Sequence, residues 1–348
     1  MKTTTEVPKE SDMWRWYRFA EKANEVNWNA RYVPNKNFIR FMLPYLLKHT
    51  EDSVKKVTYE KDGHMRAVVN VSGGLDSCTS AWLIARAMQE GIRRKSSKRG
   101  RLVLLTFNGL SKEDFKYGKR FQRDLKREFS ELDVECAESN LNPLMRSVHS
   151  LTDKVIKSTK GKKISPGSTL TRLVSLAGLE YADTTGHCAI DATNGSEIIL
   201  GEIVLGAGCE YAPLSDLMKS QVFDLADVLS IPSYVSERNP VNSTYGIDKI
   251  HSYFGEIPKG LSARDVYAVL DPILFQIHEL KRSPEKVAEK LGHSLQFVKN
   301  VDTRIHNQDH RRRVPYFAVN DHELKTSRTI KGKSNKYFEK YNGRCFLA

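Results

Sequence analysis

The 348-residue chain has no Cys-x-x-Cys motif and no long apolar run, and each absence excludes classes of protein. Its five cysteines are scattered, at Cys78, Cys136, Cys188, Cys209 and Cys345. Without a Cys-x-x-Cys pair, neither a ribbon-type zinc site nor a disulfide framework is expected. No stretch approaches the ~20 apolar residues that span a bilayer, and polar residues 1–10 lack the apolar core of a signal peptide. We therefore expect a cytoplasmic protein that is not membrane-bound.

Negative charge is comparatively scarce, because 42 acidic residues stand against 55 basic ones and give a formal net charge of +13. Such a balance suits a nucleic-acid-binding protein or an enzyme that handles polyphosphates. Much of the excess lies in three runs, at residues 93–101, 154–163 and 311–313. We expect the first two to lie between regular elements, which favours solvated loops over a nucleic-acid groove. A nucleic-acid partner is disfavoured but stays open.

The most informative segment is the glycine loop, residues 71–77. An apolar run at 67–71 predicts a buried strand before it, and helical spacing of apolar residues predicts a helix after it. A glycine pair there lets backbone N–H groups approach an anion, and a helix N-terminus and serine hydroxyls add to the attraction. The sequence thus favours a pyrophosphate-binding loop over a simple surface turn. Its members are Val71, Ser72, Gly73, Gly74, Leu75, Asp76 and Ser77.

Two common nucleotide motifs, Gly-x-x-x-x-Gly-Lys-Ser/Thr and Gly-x-Gly-x-x-Gly, are absent, so a kinase-like loop and a dinucleotide Rossmann site are not indicated. Asp76 is unusual in an anion site, because a carboxylate repels phosphate unless a cation bridges the two. Mg²⁺ with phosphate oxygens as further ligands is the natural bridge. The glycine loop therefore predicts a magnesium-dependent phosphate site.

Three further apolar runs, at 102–107, 134–137 and 188–191, predict strands, and amphipathic patterns at 111–129, 169–181 and 216–229 predict helices. Lysine-, serine- and glycine-rich residues 152–167 predict a mobile loop. Strands that alternate with helices indicate an α/β fold, a parallel sheet with helices on both faces, followed by a helical C-terminal part. Ligands of such sheets bind at the carboxyl ends of the strands, where the glycine loop falls.

Several motifs together carry a family resemblance. Ser-Gly-Gly-x-Asp-Ser in the glycine loop resembles the PP-loop of ATP pyrophosphatases. Asn194-x-x-Glu197 and the segment from Pro213 to Lys219-Ser-Gln-Val resemble motifs of the NAD synthetases, as does Asp-His310-Arg-Arg-x-x-Pro. The resemblance to this family, of the ammonia-dependent type, covers roughly residues 65–318.

The resemblance implies a Rossmann-like fold of the adenine nucleotide alpha hydrolase type, and it implies roles for individual residues. The implied ATP contacts beyond the glycine loop are Thr193, Lys219 and Ser243. The implied Mg²⁺ ligands are Asp76 and Glu197, with Asp76 and Lys219 as catalytic residues. The implied substrate contacts are Arg172, Glu210, His310 and Arg311. The corresponding division is an N-terminal helical extension and connector (1–65), a synthetase-like domain (66–318) and a basic tail (319–348).

The implied reaction adenylates the nicotinate carboxylate of deamido-NAD with ATP, after which ammonia displaces AMP to give NAD. A fused glutaminase needs at least ~150 further residues, so we expect free ammonia or a separate partner as the nitrogen source, and the family implies a homodimer. The chain departs from the family on the substrate side: Val174 replaces an expected arginine and Leu205 an expected lysine.

Other functions stay open at this stage. The acid could be another carboxylate, for example nicotinate mononucleotide, or the enzyme could act on tRNA. Residues 283–306 resemble a helix-turn-helix with Gly292 in the turn, which would suit a DNA-binding module. A catalytically weakened scaffold is a further alternative.

Overall fold

The computed structural model describes residues 36–58, 62–109, 111–159, 166–204, 206–238, 254–255 and 261–308. Four parallel strands form its sheet in the order β3-β2-β1-β4. They are β1 (His64–Asn70), β2 (Arg99–Asn108), β3 (Asp133–Asn140) and β4 (Cys188–Ile190). The register places Val68 of β1 opposite Val103 of β2 and Ala189 of β4. This arrangement confirms the predicted parallel α/β fold.

Helices connect and follow the strands. The helices before and among the strands are α1 (Lys36–Val57), α2 (Leu75–Arg93), α3 (Lys112–Glu128), α4 (Asn142–Thr159) and α5 (Pro166–Thr185). After β4 come α6 (Gly195–Leu200), α7 (Lys219–Val228), α8 (Ser233–Ser236), α9 (Ala263–Leu274), α10 (Pro284–Leu291) and α11 (Leu295–Asn307). A π-helical turn, Phe275–Glu279, extends α9. None of the described helices is both long and apolar enough to cross a membrane.

Both faces of the sheet are covered because alternate strand residues point in opposite directions. Val69 and Leu104 belong to a large cluster with buried residues of α1, α2 and α7. Val68 and Val103 face the other way, into a smaller cluster that Ala182 of α5 completes. Because consecutive residues of β1 and β2 are apolar, both faces of the sheet are covered and it forms the middle layer of a three-layer structure.

Helix α1 belongs to the larger cluster, with Ile39 and Val54 fully buried. It is longer than the predicted helix at 38–47, and it packs against α2 and α7. A buried carboxylate, Glu51, ties it to the end of α2 through Arg94 Nη2 at 2.5 Å and Ser96 Oγ at 2.5 Å. Part of the predicted N-terminal extension therefore shares its core with the sheet.

Two local expectations were wrong. Residues 152–159 are helical rather than part of a loop, since α4 continues to Thr159 and the Thr152 hydroxyl donates to the Val148 carbonyl at 3.0 Å. The basic run at 93–101 is not confined to a connector, because β2 begins at Arg99 and Arg101 pairs with Glu135 of β3 at 2.9 Å. Lysine- and arginine-rich segments suggested solvated loops, but neighbouring elements fix their structure.

The C-terminal helices form a cluster of their own. Leu270 and Ile273 of α9 pack with Phe297 and Val301 of α11. The apolar faces of α10 and α11 are therefore buried inside this cluster. Helices of a DNA-binding helix-turn-helix also pack on a core, so the helix-turn-helix alternative for residues 283–306 stays untested. Ile199 and Leu200 of α6 and Met218, which precedes α7, also belong to the cluster. Helix α9 packs against both α6 and α7, the helices that follow β4.

Candidate active site

The glycine loop lies at the carboxyl end of β1, between Asn70 and the start of α2 at Leu75. Gly73 has φ +82°, a conformation that favours glycine. A Cβ at this position would lie 2.7 Å from the Gly118 nitrogen and 2.8 Å from Tyr117 Cβ, so α3 packs directly on the loop. At Gly74, φ is −83° and a Cβ would meet only Ser72 Oγ, at 3.3 Å. The two glycines thus serve different ends: Gly73 allows the close packing, and Gly74 keeps the loop surface open.

Two serines hold the loop in shape. Ser77 Oγ accepts a hydrogen bond from the Ser72 nitrogen at 3.1 Å and donates to the Gly74 carbonyl at 3.2 Å. Ser72 Oγ accepts from the Gly74 nitrogen at 3.2 Å. Hydroxyl oxygens therefore occupy the backbone donors that a phosphate oxygen would use. A bound polyphosphate can take over these bonds, because a phosphate oxygen is the stronger acceptor.

A charged cluster, Asp76, Glu197 and Lys219, lies beside the glycine loop. The ammonium of Lys219 donates to Asp76 Oδ2 and stands 4.0 Å from Glu197 Oε1. Asn194 Nδ2 donates to the other oxygen of Asp76 at 3.2 Å. The three charged side chains come from α2, α6 and α7, so the fold brings together residues more than 100 positions apart, as the resemblance implied.

Local capping fixes the Glu197 side of the cluster. Asn194 Oδ1 accepts from the Glu197 nitrogen at 3.1 Å, and the Asn194 nitrogen donates back to Glu197 Oε2 at 3.3 Å. This reciprocal capping box starts α6, and Gly201 ends it in a left-handed conformation. The Asn-x-x-Glu spacing therefore has a structural reason besides any chemical one.

The charged cluster is short of positive charge. Burial, followed by the negative charge of Asp76, raises the pKa of Glu197 to about 8. Burial alone would lower the pKa of Lys219, but the charges of Asp76 and Glu197 raise it, so the ammonium stays charged. Lys219 lies between the two carboxyl groups, and its single charge balances only one ionised carboxylate, so Glu197 holds its proton to a higher pH than a free carboxyl group does. Two carboxylates with this deficit fit a divalent ion such as Mg²⁺, completed by phosphate oxygens.

A buried carboxylate that the sequence does not single out accepts hydrogen bonds from the segments that carry Glu197 and Lys219. Asp271 of α9 accepts from Ser196 Oγ at 2.6 Å and from the Ser220 nitrogen at 2.7 Å. Ser196 Oγ in turn accepts from the Lys219 nitrogen at 2.8 Å. Burial raises the pKa of Asp271 to about 6. The only sequence signal was an aspartate within the apolar pattern of a helix, just before Pro272.

The glycine loop and the charged cluster open into one cavity of about 480 Å³. Thr193 lines it, held by hydrogen bonds from its nitrogen and hydroxyl to Asp191 Oδ1 at 2.9 and 2.8 Å. Helix α5 also lines the cavity, and its lining residues include the apolar Leu170 and Val174. The cavity can thus hold a polyphosphate at one end and a flatter, less charged group at the other.

Two residues with implied substrate roles lie outside the cavity lining. Arg172 is exposed on α5, and its Nε is 3.8 Å from the place a Cβ on Gly206 would occupy. Glu210 Oε2 accepts from the Ala189 nitrogen of β4 at 2.8 Å, and burial raises the pKa of Glu210. Three others, Ser243, His310 and Arg311, lie outside the described residues. The roles of all five stay predictions.

Fold and site together define a class of protein. It is a parallel α/β protein in which the glycine loop lies beside two carboxylates and a lysine at the carboxyl ends of the strands, where such sheets bind their ligands. The NAD synthase family profile matches residues 46–315, so the chain belongs to that family. This confirms the family resemblance and places the chain among carbon–nitrogen ligases, as predicted.

Named relatives agree with this placement. The NH(3)-dependent NAD(+) synthetase of Pyrococcus furiosus is 25% identical over 250 residues, which covers 71% of this chain and 86% of the relative. Two solved structures share the fold, each at 17% identity and covering 80% of this chain. They are the NH3-dependent NAD synthetase of Campylobacter jejuni (TM-score 0.53, 99% of that chain) and the NMN synthetase of Francisella tularensis (TM-score 0.52, 97% of that chain).

Proposed function

We propose that this chain is an ATP-dependent, amide-forming ligase that adenylates the nicotinate carboxylate of deamido-NAD and uses ammonia to form NAD. The observation that carries the proposal is the charged cluster beside the glycine loop, in a chain of the NAD synthase family. In a magnesium–ATP complex, the glycine loop and Lys219 would bind the phosphates, and the two carboxylates would bind the magnesium ion.

The chemistry requires activation before the nitrogen arrives. A carboxylate carbon is a poor electrophile, and its oxygen does not leave as oxide. Attack of one carboxylate oxygen on the α-phosphorus of ATP forms an acyl-adenylate and releases pyrophosphate. Ammonia then adds to the carbonyl carbon, AMP departs with that oxygen, and a proton is lost. The amide, AMP and pyrophosphate are the products.

The described residues divide the work between them. Backbone N–H groups of the glycine loop and the Lys219 ammonium would hold the pyrophosphate portion and stabilise its growing charge. Asp76 and Glu197 would hold Mg²⁺, which screens the phosphates from the carboxylates and polarises the reacting phosphorus. Thr193, which lines the same cavity, would contact the nucleotide.

We further propose that the ammonia is free or comes from a separate partner, and that the enzyme works as a cytoplasmic homodimer. Arg172, Glu210, His310 and Arg311 are proposed substrate contacts, and Ser243 is a proposed ATP contact. Because Arg172 and Glu210 do not line the cavity, their roles require a substrate that reaches past its rim or a second subunit that completes the site.

A smaller acceptor, nicotinate mononucleotide, is the second candidate. Val174 lines the cavity where the family resemblance implies an arginine, so a cation for a second phosphate is missing on that wall. The fold is shared by an NMN synthetase from Francisella tularensis, and fold alone does not separate the two acceptors.

Mass spectrometry of the products tests the proposal. The full chain is incubated with ATP, Mg²⁺ and ammonium, with deamido-NAD or nicotinate mononucleotide as the acceptor. We expect NAD, AMP and pyrophosphate in equal amounts with deamido-NAD. Amidation of the mononucleotide alone would support the second candidate. ADP as the nucleotide product, or turnover only with tRNA, would contradict both.

A further inference from the structure

Arg238 is a buried cation in the cavity that neither the glycine-loop chemistry nor the charged cluster uses. It follows α8, lines the cavity and is only 10% exposed. Its Nη2 donates to Asp114 Oδ1, and its guanidinium carbon lies 4.2 Å from the centre of the Tyr117 ring. Asp114 and Tyr117 belong to the part of α3 that packs on Gly73. The guanidinium is therefore held next to the glycine loop.

The sheet order places Arg238 on the side of the glycine loop opposite the charged cluster. Helix α3 follows β2, whereas α6 and α7 follow β4, and β1 with its loop lies between these two strands. Lys219 approaches the loop from the β4 side, and Arg238 is anchored to α3 on the β2 side. A polyphosphate in the loop would thus lie between two cations.

Charge in the cavity makes this second cation significant. The described lining residues include five carboxyl side chains and only two cations, Lys219 and Arg238. Lys219 is already shared by Asp76 and Glu197. Arg238 is then the remaining described cation of the lining that a leaving pyrophosphate can recruit.

Within the part of the chain that the structure describes, Arg238 has a donor without an acceptor. Guanidinium carries five N–H donors in a fork that matches phosphate oxygens. Asp114 accepts one of them, and the Arg238 Nε is buried with no acceptor among the residues that the structure describes. A simple structural ion pair has no use for a buried, unpaired donor, which is costly. Phosphate oxygens entering the cavity would provide the missing acceptors.

We propose that Arg238 binds the β- and γ-phosphates of ATP and stabilises the departing pyrophosphate. The inference rests on the proposed adenylation, and it deepens it by assigning a second cation to the leaving group. Attack on the α-phosphorus breaks the bond to the bridging oxygen, and the electron pair moves onto pyrophosphate. The guanidinium would receive that charge from the side opposite Lys219.

Binding measurements test Arg238 without any acceptor, so a wrong acceptor assignment does not affect the result. Titration calorimetry would compare Mg²⁺–ATP, Mg²⁺–pyrophosphate and AMP on the full chain and on Arg238→Met. We expect ATP and pyrophosphate to bind about 10- to 100-fold more weakly in the variant, the loss typical of charge-assisted hydrogen bonds. AMP, which lacks the β- and γ-phosphates, should bind within about twofold of the unchanged chain.

Arg120 offers a control, because its guanidinium carbon on α3 lies 3.8 Å from the centre of the Tyr234 ring on α8, another arginine–tyrosine contact, and Arg120 does not line the cavity. Arg120→Met should leave all three affinities unchanged. If Arg238→Met does not fold, Arg238→Lys keeps the charge and should weaken pyrophosphate binding while sparing AMP. Equal loss for ATP and AMP, or no loss for either, would overturn the proposal.

Discussion

Alanine substitutions at the two adjacent glycines of the glycine loop should have different effects, a loss of stability at Gly73 and a loss of nucleotide binding at Gly74. At Gly73, alanine must adopt φ +82° and place its Cβ 2.7–2.9 Å from atoms of α3, two of which are backbone atoms. At Gly74, the backbone already has a conformation open to any residue, and the new Cβ meets only a serine hydroxyl at 3.3 Å. The change in chemistry is the same, one methyl group, and only its surroundings differ.

The structure sets the magnitude. A left-handed conformation costs a non-glycine residue about 1–2 kcal/mol. Overpacking against atoms that cannot move aside costs a further ~1–3 kcal/mol. Gly73→Ala should therefore lower the free energy of unfolding by about 2–5 kcal/mol, whereas Gly74→Ala should change it by less than about 1 kcal/mol.

Chemical denaturation measures the stability, and titration with Mg²⁺–ATP measures binding. Gly74→Ala should keep its stability and lose nucleotide affinity, because Gly74 lines the cavity and its methyl group would occupy the path of the phosphates. Gly73→Ala should lose stability first. Equal stability in the two variants, or tight ATP binding by Gly74→Ala, would refute the division of roles between the glycines.

Three further outcomes are expected. Although burial alone would raise it, hydrogen bonds from Lys55, Ser96 and Arg94 lower the pKa of Glu51 to about 2. The stabilisation that ionised Glu51 gives to the folded state is therefore complete above pH 4.5 and is lost as the pH falls toward 2. Glu51→Gln should lower the free energy of unfolding by about 1–3 kcal/mol at pH 7 and leave it nearly unchanged near pH 2. Urea denaturation at the two pH values measures the difference. Asp271→Ala leaves two buried donors without an acceptor and should cost about 2–4 kcal/mol, whereas Asp271→Asn, which keeps one acceptor, should cost less than half of that; equal losses would contradict the hydrogen-bond account. Asp76→Ala should lower AMP formation at least ~100-fold while the far-ultraviolet circular dichroism stays unchanged, and full activity would remove Asp76 from the proposed metal site.

The glycine loop could be predicted from sequence because its signals are local. Strand, glycine pair and helix follow one another within about 30 residues, so their spatial relation is fixed by short-range geometry. The partnership of Asp76 with Glu197 and Lys219 came only from the family resemblance. Each of their motifs can be recognised in the sequence. Sequence spacing does not predict that residues more than 100 positions apart lie together.

Asp271 and Arg238 could not be found in the same way, because their importance lies entirely in tertiary contacts. Asp271 interrupts an apolar helical pattern, and only the structure shows that it accepts hydrogen bonds from the segments that carry Glu197 and Lys219. Arg238 is one arginine in a basic chain until its burial against Tyr117 is known. The wrong predictions of loops at 152–159 and 93–101 have a related cause. They were made from charge composition, whereas the secondary structure there depends on contacts with neighbouring helices and strands.

Transfer of an isotope from the acceptor acid to AMP tests the central claim most directly. Deamido-NAD labelled with ¹⁸O in its nicotinate carboxylate would be turned over with ATP, Mg²⁺ and ammonium, and the AMP would be analysed by mass spectrometry. Adenylation of the carboxylate predicts one ¹⁸O in the AMP phosphoryl group and none in pyrophosphate. Unlabelled AMP, or label in phosphate released with ADP, would contradict it.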